Sequence, residues 1–111
     1  MTGADLPDDL PVLSAETRRS AKLIGLFLRQ APIELGALHE AIGKGDGQKI
    51  KDVAHKLKGS CRAVGVLRMA ELCEAVERLA VAEAATQYGR LVAEYERAKV
   101  LLEAEQAIAT R

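Results

Sequence analysis

The chain has no tryptophan, a single phenylalanine at Phe27 and no run of β-branched residues, while alanine and leucine abound. These absences count against a sheet-based fold and point to helices packed by small aliphatic side chains. Charge of one sign is missing too: sixteen Lys and Arg balance sixteen Asp and Glu, so no global field draws in nucleic acid or an anionic membrane. No apolar N-terminal stretch resembles a signal peptide or a membrane span, and a reducing cytoplasm is the expected location. Only two cysteines occur, Cys61 and Cys73, without metal-like spacing. With 111 residues, 49% hydrophobic and 29% charged, one soluble domain with a modest core fits.

Residues 1–13 hold Pro7, Pro11 and the pair Asp8-Asp9 without an apolar period and read as a flexible arm, leaving 14–111 for a single helical domain. Ser14 is a candidate N-cap. Leu23, Ile24, Phe27, Leu28 and Ala31 then repeat at helical spacing. Pro32 either opens a new helix or kinks a continuous one, and the stripe resumes with Leu35, Leu38 and Ile42. The run Gly43-Lys44-Gly45-Asp46-Gly47 ends that helix and offers Asp46 as the next N-cap.

From about Gly47 to Val64 the periodicity separates two faces. Ile50, Val53, Leu57, Cys61 and Val64 fall in one sector; Gln48, Lys51, Asp52, His55, Lys58, Gly59 and Arg62 fall in the opposite one. Gly65 is expected to close the helix in the left-handed conformation. Met69, Leu72, Cys73, Val76, Leu79 and Ala80 trace a further stripe, antiparallel to the last, with Glu71, Glu74, Glu77 and Arg78 outside it. A final helix carries Tyr88, Leu91, Val92, Tyr95, Ala98 and Leu102, but the join around 81–86 has no Gly or Pro to mark it. The expected fold is all-α, an antiparallel four-helix bundle with an additional N-terminal helix or an extended first one.

Within His55-Lys56-Leu57-Lys58-Gly59-Ser60 a glycine stands in a helix interior, where it costs roughly 1 kcal/mol relative to alanine. Helical side chains lean toward the N-terminus, so the residue four positions on normally overhangs its predecessor. Gly59 leaves the His55 ring uncovered. An imidazole that is largely neutral near pH 7 is a nucleophile able to form a covalent intermediate, and the Lys58 ammonium one turn on can hold a resulting phosphoryl anion. Since 55 and 77 lie equally far from Val66, Glu77 is placed at the height of His55, where it can accept the Nδ1 proton or fix the ring's orientation, or equally repel a phosphoryl group. Lys51 and Arg62 lie on the same stripe and can meet an acidic partner surface.

The other constellations are ordinary. Gly43 to Lys49 lacks the spacing of a phosphate-cradling loop. His39 stands apart from His55, no set of zinc ligands assembles, and no bound metal or cofactor is expected. Cys61 and Cys73 lie on apolar stripes and read as core packing.

The stretch from His55 to Gly65 resembles the signature of histidine-containing phosphotransfer (HPt) domains, and the similarity of layout extends over most of residues 20–102. The resemblance implies a four-helix bundle with an exposed phosphoacceptor, His55, midway along one helix. It further implies that Lys58 contacts the phosphoryl group, that Gly59 clears the approach, and that Ser60 and Gly65 are common family choices. The implied role is a phosphorelay: His55 takes a phosphoryl group from the aspartate of one response-regulator receiver domain and passes it to another, a hybrid sensor kinase being one such partner. The receiver supplies Mg²⁺. Arg62 stands where small residues are frequent and Glu77 where some members have glutamine.

One bundle accounts for the whole chain, so a stand-alone monomeric intermediate without ATP-dependent kinase activity of its own is expected. The alternatives are the phosphoacceptor fragment of a chemotaxis-type kinase and a helical adaptor that binds a receiver without transfer. The dimerisation helices of ordinary sensor kinases fit less well, since Lys56 and Ser60 stand where an acidic residue and a later proline are typical.

Overall fold

The computed structural model describes residues 21–109, which form four helices and no strand: α1 Ala21–Gly43, α2 Gly47–Ala63, α3 Leu67–Arg78 and α4 Val81–Ala109. The proposed arm and the Ser14 cap lie outside the described residues. Each helix packs on its neighbours in sequence, and α4 closes the ring against α1. The result is an antiparallel four-helix bundle whose first helix is the extended one. Pro32 neither ends nor opens it; α1 runs through the proline, which faces solvent and leaves the carbonyl four residues back without its helical donor.

Two tight helix ends fix the α1–α2 and α2–α3 connections. Among the described residues Gly45 and Gly65 are the glycines with positive φ, at 65° and 72°. At each, two hydrogen bonds consume the last helical carbonyls: Asp46 N–H to Ala41 O and Gly45 N–H to Ile42 O at the first, Val66 N–H to Cys61 O and Gly65 N–H to Arg62 O at the second. Asp46 then caps α2, its side chain accepting from Lys49 N–H at 3.1 Å. The third join, which no turn residue marks, consists of Leu79 and Ala80: Leu79 is extended, with φ −89° and ψ 155°, and Ala80 O accepts from both Glu83 and Ala84 N–H. Extended backbone at a non-glycine residue breaks a helix without leaving a compositional trace.

The core follows the predicted stripes. Ile24, Phe27, Ala31, Leu35 and Leu38 of α1 meet Ile50, Val53, Leu57 and Cys61 of α2, with Met69, Cys73 and Val76 of α3 and Leu91, Tyr95, Ala98 and Leu102 of α4 completing it. Phe27 and Tyr95 pack at 6.1 Å between ring centroids, and Tyr88 Oη donates to Leu35 O at 3.1 Å, tying α4 to α1. Cys61 and Cys73 are buried free thiols. Their mutual contact and burial push the Cys61 thiol up, as expected of core packing rather than a nucleophile.

Two acidic residues interrupt this interior. Glu34 and Glu94 are buried, and Oε2 of each lacks a hydrogen-bond partner. Burial raises the Glu34 pKa, with the charge of Lys56 pulling the other way. An unmet buried acceptor costs about 1–3 kcal/mol. Glu34→Met is therefore expected to stabilise the bundle by about 1 kcal/mol at pH 7 in urea unfolding. Because the folded-state pKa is raised, no charge is buried below the unfolded-state value of about 4.3, and the penalty develops as the pH rises from there. The advantage of the variant should shrink toward pH 4; a variant less stable than wild type at pH 7 would contradict this account.

Candidate functional site

α2 presents His55 outward because its apolar positions anchor the opposite face in the bundle. The His55 side chain is 74% exposed, and its Nδ1 lies 2.8 Å from Glu77 Oε1 on α3. Lys58, one turn further along α2, donates from Nζ to Glu77 Oε2, also at 2.8 Å. One carboxylate thus uses both oxygens, one for each residue. The equal distances of 55 and 77 from the α2–α3 turn put them at one height, as the hairpin geometry predicts.

Lys58 departs from the expected solvent-facing position. Its side chain is 11% exposed and that of Glu77 18%, whereas the ring they flank is open. A residue just off the apolar sector can fold a long methylene stem across the α2–α3 seam, leaving its ammonium to meet an acid on the next helix. Burial works against ionisation of Glu77, but the hydrogen bonds from Lys58 and His55 and their charges outweigh it and hold the carboxyl below the usual range. Glu77 is therefore a carboxylate at neutral pH and can only accept. Against that acceptor Nδ1 is the donor of the His55 contact, and in the neutral ring the lone pair is then on Nε2.

Gly59 is exposed, and a Cβ built there meets no atom within 4 Å. No internal contact of the fold requires a glycine at this position. Ser60 is half-buried and donates to Lys56 O at 3.3 Å, while Lys51 and Arg62 are exposed on α2. His39 is exposed on α1 with its ring 5.2 Å from that of Tyr88, far in sequence from His55. Among the described residues no group of His, Cys, Asp and Glu could hold a metal ion, and no helix is long and apolar enough to cross a membrane. The periodicity had not singled out Glu34, whose only signal was an acid inside the α1 apolar stripe between Ala31 and Leu35.

Comparison with known proteins bears on the family and the fold. The family model described as Hpt domain matches residues 22–110. Among solved structures, the crystal structure of histidine-containing phosphotransfer protein B from Pseudomonas aeruginosa PAO1 is similar with a TM-score of 0.78 and 22% identity, over 87% of this chain and 96% of that one. At that identity the likeness concerns the fold. A search of curated proteins finds no match.

Glu77→Gln leaves the Lys58 ammonium beside a neutral amide. The expected loss is about 1–2 kcal/mol at pH 7, below the range for fully buried pairs because water still reaches the site. Since the folded-state pKa of Glu77 is lowered, its contribution is complete above the unfolded-state value of about 4.3 and disappears as the pH falls through the folded-state value. Urea unfolding of both proteins from pH 7 into acid should show the difference closing; a gap independent of pH would contradict an ionised Glu77.

Proposed function

The chain belongs to the Hpt domain family, and on that premise we propose that it is a phosphorelay intermediate in which His55 accepts a phosphoryl group from the aspartate of one receiver domain and hands it to another. The observation that carries this reading is the pairing of an exposed His55 ring with the Glu77 carboxylate through Nδ1, which directs the Nε2 lone pair outward.

In the accepting step Nε2 attacks the phosphorus of the receiver's aspartyl phosphate. The N–P bond forms as the P–O bond breaks, and its electron pair returns to the aspartate as carboxylate. The Nδ1 proton stays in place against Glu77, so the phosphorylated ring is cationic and its charge is compensated. In the donating step the N–P electron pair returns to Nε2 and a neutral imidazole departs. Without the Nδ1 proton the departing group would be an imidazolate, a much poorer one. Glu77 thereby serves both directions by holding one proton still.

Lys58 has three donors and spends one on Glu77. The others can reach the phosphoryl oxygens, since Lys58 follows His55 by one helical turn. Gly59 leaves the approach to the ring clear, and Lys51, Ser60 and Arg62 surround it as contact points for the receiver. Mg²⁺ belongs to the receiver in this scheme.

Transfer of labelled phosphate from a panel of phosphorylated receiver domains tests the reading. Wild type should acquire acid-labile label, His55→Gln none, with circular dichroism showing both folded. Gly59→Leu should fold at least as stably as wild type, since leucine is the better helix former by roughly 1 kcal/mol, yet accept phosphate at least about tenfold more slowly because the side chain overhangs the ring. Equal label on wild type and His55→Gln, or stable binding of a receiver without transfer, would favour an adaptor instead.

A further inference from the structure

Glu34 sits in the core-facing stripe of α1, is 5% exposed, and keeps its Oε2 away from solvent without any donor. An unmet acceptor in a native interior calls for an explanation, and a donor arriving from outside is one. The other such oxygen belongs to Glu94, between α3 and α4, where Arg90 and Arg97 stand one turn away on the same helix. Glu34 differs in its surroundings. It lines a groove of about 200 Å³ between α1 and α2, with Ile33, Ala37 and Val53 as apolar wall and Lys49 and Lys56 at the edge.

The groove is lined by α2 residues that neighbour His55 on the same helix. Lys56 directly follows His55, and Asp52, which also lines the groove, stands one turn before it. Asp52 already accepts from Gln48 Nε2 at 2.9 Å, so it is engaged elsewhere. Ile33 is 66% exposed and forms an apolar shoulder next to the groove.

We propose that the groove is a docking point for the receiver domain that exchanges phosphate with His55, receiving one of its Lys or Arg side chains, with the stem against Ile33, Ala37 and Val53 and the charged head donating to Glu34. The inference rests on the phosphotransfer reading of His55. Charge does not oppose it: Glu34 and Asp52 balance Lys49 and Lys56, and Lys56 is exposed, so its own head can stay in water. An anionic side chain would meet the carboxyl without a donor, and a purely apolar one would leave it unmet. A long cationic side chain satisfies both the wall and the floor. Glu34 is then a residue that selects among receivers, kept despite its cost to the free bundle.

The test uses the phosphorylated receiver that labels wild type fastest and compares transfer to wild type, Glu34→Met and Glu34→Gln, normalised to labelling by phosphoramidate, which needs no docked protein. The receiver KM should rise roughly tenfold for Glu34→Met, the scale of one lost charge-assisted contact, and less for Glu34→Gln, whose carbonyl still accepts. Substituting the exposed Lys and Arg residues of the receiver one at a time by Met should identify one whose loss matches that of Glu34→Met and adds nothing to it. A wild-type KM for Glu34→Met with every receiver that labels the protein would overturn the groove and leave the phosphotransfer reading standing. Failure of any phosphorylated receiver to label wild type would overturn both.

Discussion

The contact on which the site depends is the two-sided engagement of Glu77, whose Oε1 meets His55 Nδ1 and whose Oε2 accepts from Lys58 Nζ, each at 2.8 Å. Lys58 favours the ionised carboxyl, and the ionised carboxyl makes Nδ1 the donor of the contact, which in the neutral ring leaves the lone pair on Nε2. The contact is made across two helices, so it exists only if α2 and α3 pack in register. The Gly65 turn, with its paired hydrogen bonds to Cys61 O and Arg62 O, sets that register. A backbone conformation ten residues from His55 in sequence therefore determines which of its nitrogens meets Glu77.

Several residues of α1 and α2 make more sense for a molecule that must be approached than for one that must only be stable. Gly59 leaves open space on an exposed helix face, and Glu34 keeps an oxygen without a donor. The stability to tolerate them comes from the continuous aliphatic core and from two helix ends that satisfy their own carbonyls. Gly59 lies one turn from His55 on α2 and Glu34 in the groove between α1 and α2, while α4 supplies packing: Leu91, Tyr95, Ala98 and Leu102 line the interior and Tyr88 fastens it to α1.

Much of this was legible from residue spacing alone. The α2 sector of Ile50, Val53, Leu57, Cys61 and Val64 is buried throughout, Asp46 caps α2, and Gly65 has positive φ, because local periodicity and turn chemistry act over a few residues. The height match of 55 and 77 followed from hairpin symmetry. Lys58 was harder to place: angular position on a helix wheel does not reveal that a long stem will reach across a seam to a carboxylate on another helix. Pro32 left two outcomes open since the helix on either side of it can continue through tertiary packing. The α3–α4 break at Leu79 and Ala80 is carried by backbone angles that many residues adopt, and Glu34 looked like any other acid until its neighbours enclosed it.

The most direct measurement of the central claim is an ¹⁵N and ³¹P NMR spectrum of the protein, labelled at histidine nitrogen and phosphorylated by a receiver domain. Phosphorus coupled to His55 Nε2, with the proton retained on Nδ1, is the result predicted from the Glu77 contact. Attachment at Nδ1, or a ring protonated at Nε2 before transfer, would contradict the account.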